Sequence, residues 1–96
     1  MGFLKVLTMR EIINQEVSVV MYYSANKHLA LPHLIRWQNK DYVIGKIGYH
    51  HTIKQGLVIH HIFELVDDQE SLWFRLDLNT DNLHWKLEMI SDGLPG

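Results

Sequence analysis

The chain has 96 residues, enough for one domain around one hydrophobic core and short of what two would need. Hydrophobic residues make up 47% and charged residues 21%, which excludes the low-hydrophobicity composition of disorder; the absence of cysteine removes disulfides, thiolate metal ligands and cysteine nucleophiles. The formal net charge is −2 and rises to +5 when all seven histidines are protonated, so no overall basic excess draws the chain to nucleic acid or anionic lipid.

At the N-terminus, the apolar run from Met1 to Leu7 is broken by Lys5 and is too short for a signal-peptide core. No stretch approaches the ~20 apolar residues of a membrane-spanning helix, so a cytoplasmic protein without membrane contact is expected. Phe3 to Leu7 has the content of a short strand, and Thr8-Met9-Arg10-Glu11 has capping-box spacing that could open one short helix through Asn14. From Glu16 to Tyr23 the β-branched and aromatic residues predict a strand, with Ser24 to Pro32 as a loop. A hairpin follows. His33 to Gln38 and Asp41 to Ile47 flank a turn at Asn39-Lys40, which pairs Trp37 with Tyr42 and Ile35 with Ile44 on the core face.

The next connection, Gly48 to Gly56, reads as a long turn. Pairing Ile47 with His61 across it would point Arg36 and Val43 inward, and an unpaired buried guanidinium is costly. Another register, or a bulge near Gly45 or Gly48, is therefore expected. From Leu57 to Ile90 the apolar residues recur at every second position in three runs: Leu57, Ile59, Phe63 and Leu65; Leu72 to Leu78; and Leu83 to Met89. This is the period of a half-buried antiparallel sheet. Four-residue loops at Asp67 to Glu70 and Asn79 to Asn82 pair Leu65 with Leu72, Phe63 with Phe74, Ile59 with Leu78, Leu76 with Trp85, and Phe74 with Leu87. The expectation is a mainly β, single-domain antiparallel meander of about six strands over residues 1–96. It would form a curled sheet or a small, partly open barrel closed by the N-terminal segment, the alternative being a sheet with one helix across it.

The same register sets Asp77 between His60 and His84 on the opposite face. Two imidazoles and a carboxylate are ligands for a divalent metal such as zinc, or an acid–base pair, although histidines two strand spacings apart begin ~10 Å from one another. A solvated cross-strand ladder uses the same residues without chemistry. The doublets His50-His51 and His60-His61 point to opposite faces within each pair, and His61, between Ile59 and Phe63, reads as a hydrogen-bonded core histidine. Beside the histidine row stand Trp73, Arg75 and Lys86, flanked by Glu64 and Glu88. An exposed tryptophan among cations can stack a nucleobase or anchor a protein interface, and it can equally be covered by another part of the chain. Asp67, Asp68 and Glu70 read as a solvated turn; no phosphate loop, zinc-protease motif or nucleophile elbow is present, so no catalytic residue is assigned and enzyme activity is not expected.

Through Arg36-Trp37, Tyr42 and Val43, and the later Trp73, Leu76-Asp77, Thr80 and Trp85, the chain resembles small bacterial β-domains of unknown function. The resemblance spans His33 to Gly93 and consists of an R-W-x-x-x-x-Y-x-[IV] hairpin followed by an aromatic-rich strand pair. Some such domains are encoded near DNA-repair polymerases, which implies a nucleic-acid-linked role by association and assigns no residue. The residues themselves point first to a small interaction domain that binds itself or another protein through its sheet surface or the edge strand Glu16 to Tyr23. Single-stranded nucleic-acid binding through Trp73, Arg75 and Lys86 is the second reading. A metal-dependent activity at His60, Asp77 and His84 is the third.

Overall fold

The computed structural model describes residues 10–92, which form one antiparallel sheet of seven strands and no helix. In chain order the strands are β1 (Arg10–Glu16), β2 (Ser18–Ser24), β3 (Leu29–Trp37), β4 (Lys40–Gln55), β5 (Val58–Asp67), β6 (Trp73–Asn79) and β7 (Trp85–Ser91). Their order in the sheet is β1-β7-β6-β5-β4-β3-β2, so the first two strands stand at opposite edges. Only Val17 separates them along the chain. Its N–H donates to the Trp85 carbonyl at 3.0 Å, and the next residue, Ser18, already pairs with Arg36 of β3. The sheet therefore curls until its edges lie end to end, and stays unclosed.

Arg10 to Asn14 is thus strand and not the expected helix, while Thr8 and Met9, and the strand suggested for Phe3 to Leu7, lie outside the described residues. The open edge of β7 explains the difference. A short capping-box helix is marginal by itself, whereas pairing with β7 satisfies backbone groups on both segments. A bulge at Ile13-Asn14, with Asn14 at φ 51°, lets Ile13 pack against the core while the ladder continues. This strand brings the total to seven.

The curl originates in β4. Lys40 to Val43 pairs with β3, and Ile44 to Gln55 pairs with β5, with breaks in register at Gly45 and at Gly48. These are the bulge positions expected from the charge of Arg36, which remains outside, bound to Asp41 at 2.7 Å. Both glycines are required by crowding. A Cβ at Gly45 would stand 2.6 Å from the Asp67 carbonyl oxygen and 2.8 Å from Asp68 Cα, and one at Gly48 would stand 2.8 Å from Trp73 Cζ3.

The concave face holds the core: Ile35, Phe63, Leu65, Phe74, Leu76, Trp85 and Leu87 are buried, with Val17, Val19, Trp37, Tyr42 and Ile90 packed against them. The faces follow the alternation, but three hairpins settle two residues away from the simplest pairing. Ile35 faces Tyr42 in place of Ile44, Phe63 faces Leu76 in place of Phe74, and Leu78 faces Trp85 in place of Leu76. A shift of two preserves every face, so turn geometry decides. Gln38 and Asn39 take φ 54° and 60°, the pattern of a type I′ turn, which moves the first hairpin off Asn39-Lys40. Gly56, at φ 63°, opens a two-residue turn with Leu57, so the expected Gly48 to Gly56 loop is strand through Gln55. The β4–β5 hairpin consequently reaches past the core, leaving Leu57 93% exposed and Ile59 on the surface.

Four further expectations change for local reasons. The Ser24 to Pro32 loop shortens because β3 starts at Leu29, and Pro32 is accommodated beside a register break opposite Met21. Leu83 is an exposed turn residue at φ 63°, its N–H bound to the Asn79 carbonyl at 2.7 Å. A bulge between Arg75 and Leu76 of β6 and their partners Met89 and Leu87 sets Met89 opposite Arg75 and gives Ile90 the place against the core. Asp67 is also buried and not solvated: its carboxylate accepts from the Ser71 N–H at 2.7 Å, the Ser71 hydroxyl at 2.8 Å and the Leu72 N–H at 3.2 Å. Burial alone would raise its pKa, but these donors outweigh it and hold the pKa below the ordinary carboxylate value.

Substituting Gly45→Ala should destabilise the fold by about 1–3 kcal/mol, because the added methyl meets backbone that cannot rotate away. Urea denaturation with an unchanged m-value and a lower midpoint is the expected result.

Candidate functional site

On the convex face, β5, β6 and β7 carry a polar group of His60, Asp77, Glu88, Lys86, Arg75 and Glu64 among buried Ile62, Val66 and Met89. Its centre is a buried pair, His60 Nδ1 to Asp77 Oδ1 at 2.7 Å. The contact is diagonal, since β5 and β6 pair Asp77 with Ile62 and His60 with Asn79. Glu88 stands close to the same carboxylate, and burial, then the hydrogen bond and charge of Asp77, push its pKa up. An aspartate held on one imidazole nitrogen fixes ring orientation and tautomer, leaving Nε2 as the working atom.

His60, Asp77 and His84 all line one hollow of about 240 Å³, but only the first two are in contact. His84 precedes β7, is exposed, and lies 3.6 Å from Glu16 Oε2. The two-residue shift between β6 and β7 sets Lys86, and not His84, opposite Asp77. Among the described residues no three histidine, aspartate or glutamate side chains converge in a group able to hold a metal ion.

The second predicted group is dispersed by its neighbours. Trp73 is half-buried with its ring over Gly48, which the bulge in β4 brings beneath it. Arg75 donates from Nε and Nη2 to Glu64 Oε2, at 3.2 and 2.7 Å, and Lys86 is exposed opposite Asp77. Carboxylates thus accompany both cations.

Sequence reasoning missed a histidine pair inside the curl. Ring nitrogens His50 Nε2 and His61 Nδ1 approach to 2.8 Å, and the His50 ring stacks on Phe63 with centroids 4.4 Å apart. His61 is the hydrogen-bonded core histidine expected, and its partner lies in strand β4, where the sequence pattern reads as a turn. Burial, then the charges of His61 and His51, lower the His50 pKa. His51, on the other face, packs at a tilt against the Tyr49 ring and has a buried Nδ1 without a hydrogen-bond partner.

The third surface is the edge strand. Among the described residues β2 pairs only with β3, and Val20, Tyr22 and Tyr23 are 52%, 61% and 61% exposed. No helix in the described residues is long and apolar enough to cross a membrane. Compared with known proteins, the chain matches no family model, no curated protein and no solved structure.

Two outcomes test this electrostatic description. Asp77→Ala should cost about 1–3 kcal/mol by leaving the His60 nitrogen buried without its acceptor, and should move the Glu88 titration toward lower pH in a carboxyl-resolved NMR experiment. Because the native pKa of His50 is depressed, its contribution to stability is complete above the ordinary value of 6.5 and is lost as pH falls from there through the native value. His50→Gln, which keeps a hydrogen-bonding group but does not titrate, should flatten the decline in thermal midpoint between neutral and acidic pH.

Proposed function

We propose that this protein is a homotypic interaction domain whose β2 edge pairs with the β2 edge of a second copy. The observation that carries the reading is an uncharged terminal strand, Ser18-Val19-Val20-Met21-Tyr22-Tyr23-Ser24, with large apolar side chains in solvent. Edge strands that must remain single usually carry lysine, proline or an inward charge, and β2 has none of these. Its sequence is also complementary to itself. Antiparallel pairing about Met21 sets Ser18 against Ser24, Val19 against Tyr23 and Val20 against Tyr22, and aromatic–β-branched pairs of this kind are favourable across strands. A two-fold axis at Met21 would continue the sheet from one protomer to its partner and satisfy the open backbone groups of both.

Sedimentation equilibrium should show a monomer–dimer equilibrium, and Val20→Lys with Tyr23→Lys should shift it to monomer without altering the far-ultraviolet circular dichroism spectrum. A wild-type chain that stays monomeric into the millimolar range would remove the proposal.

A further inference from the structure

The ladder between β3 and β4 covers only Leu34 to Trp37 against Lys40 to Val43. Beyond Val43, whose carbonyl accepts from the Asp68 N–H at 2.9 Å, β4 bends at its glycine bulges toward β5, while β3 continues beside β2 alone. The sheet splits there. The cleft between the β2–β3 hairpin and the middle of β4 measures about 570 Å³, within the range of small-molecule sites.

Its lining has a definite chemical character. Leu31, Ile44 and Ile47 form an aliphatic floor that runs into the core, and all three are only partly buried. Lys27, His33, Lys46 and His50 supply the basic residues of the wall, and Tyr22 adds a phenol. Among the described residues, no aspartate or glutamate lines it, in a chain with 11 acidic residues and 9 lysines and arginines. Lys27 sits in the β2–β3 turn, held by its N–H to Ser24 Oγ at 3.3 Å, and Lys46 lies between the two β4 bulges, so the cations come from both walls.

We propose that this cleft binds an amphipathic carboxylate, an unbranched acyl chain over Leu31, Ile44 and Ile47 with its head group between Lys27 and Lys46. An aliphatic floor rewards methylene burial, and a cationic wall without carboxylates selects a negative head group over a neutral or positive one. A multiply charged nucleotide fits less well, because the permanent charges are only two and the floor is aliphatic. Tyr22 and Ser24 of β2 also line the cleft, but Lys27 and Lys46 lie outside β2, so their substitution tests the cleft without touching the dimer edge.

Isothermal titration with dodecanoate below its micelle concentration should give one site per chain, with dodecanol and dodecyltrimethylammonium each at least about tenfold weaker. The Lys27→Glu, Lys46→Glu double variant should lose affinity for dodecanoate by about tenfold or more while keeping its thermal midpoint, since both positions are exposed. If that variant is poorly folded, Lys27→Gln with Lys46→Gln replaces it and should show a smaller loss in the same direction. Absence of dodecanoate binding at millimolar concentration, equal affinity for dodecanol, or unchanged affinity in the folded variant would overturn the proposal. So would binding to phosphatidylglycerol vesicles without binding to monomeric dodecanoate, which would assign the cations to a lipid surface.

Discussion

Two missing side chains in one strand organise this molecule. β4 must pair with β3 at its start and with β5 for the rest of its length, and it can change partners only by bending sharply. Gly45 and Gly48 permit the bend because backbone and an indole ring occupy the space that a Cβ would need. The concave core, the split between β3 and β4, the seat for Trp73 and the inward placement of His50 all follow from it. No comparable constraint acts between β5, β6 and β7, which form a more regular twisted sheet.

Both faces of β5 are buried. Phe63 and Leu65 fill the concavity, while Ile62 and Val66 are covered on the convex side, where His60 and Asp77 sit in a largely desolvated setting. A carboxylate there is tolerable because the imidazole meets it directly, and the Arg75–Glu64 pair adds a second matched contact beside it. The hydrogen bonds of this group point along the sheet, and its cations are adjacent to acids.

Much of the architecture was legible from alternation alone. Phe63, Phe74, Leu76, Trp85 and Leu87 are core residues in sequence and structure, and the incompatibility of Arg36 with the interior located the bulges. What alternation cannot encode is a slip of two, because every side chain keeps its face. The register was set instead by left-handed residues such as Gln38 and Leu83, whose identities do not advertise positive φ as glycine does. That slip separated His84 from Asp77, whereas the extension of β4 through Gln55 brought His50 to His61. His60 and Asp77 still meet because an imidazole on a diagonal position reaches the carboxylate. The β2 edge was recognisable from its composition, whereas the split beside it depends on where β3 stops pairing, which no local pattern records.

The single-residue junction at Val17 has a consequence for how the chain acquires this shape. Hairpins β2–β3, β4–β5 and β5–β6 join neighbours in sequence and can form early at small loop-closure cost, but β1 finds β7 only after nearly the whole chain has been ordered between them. Its ladder is therefore the natural last step of folding and the first to open. Since Val17 links β1 directly to β2, a chain whose β1 has not yet docked presents β7 as a vacant edge that the β1 of another copy can fill, making strand exchange the characteristic misfolding route of this topology.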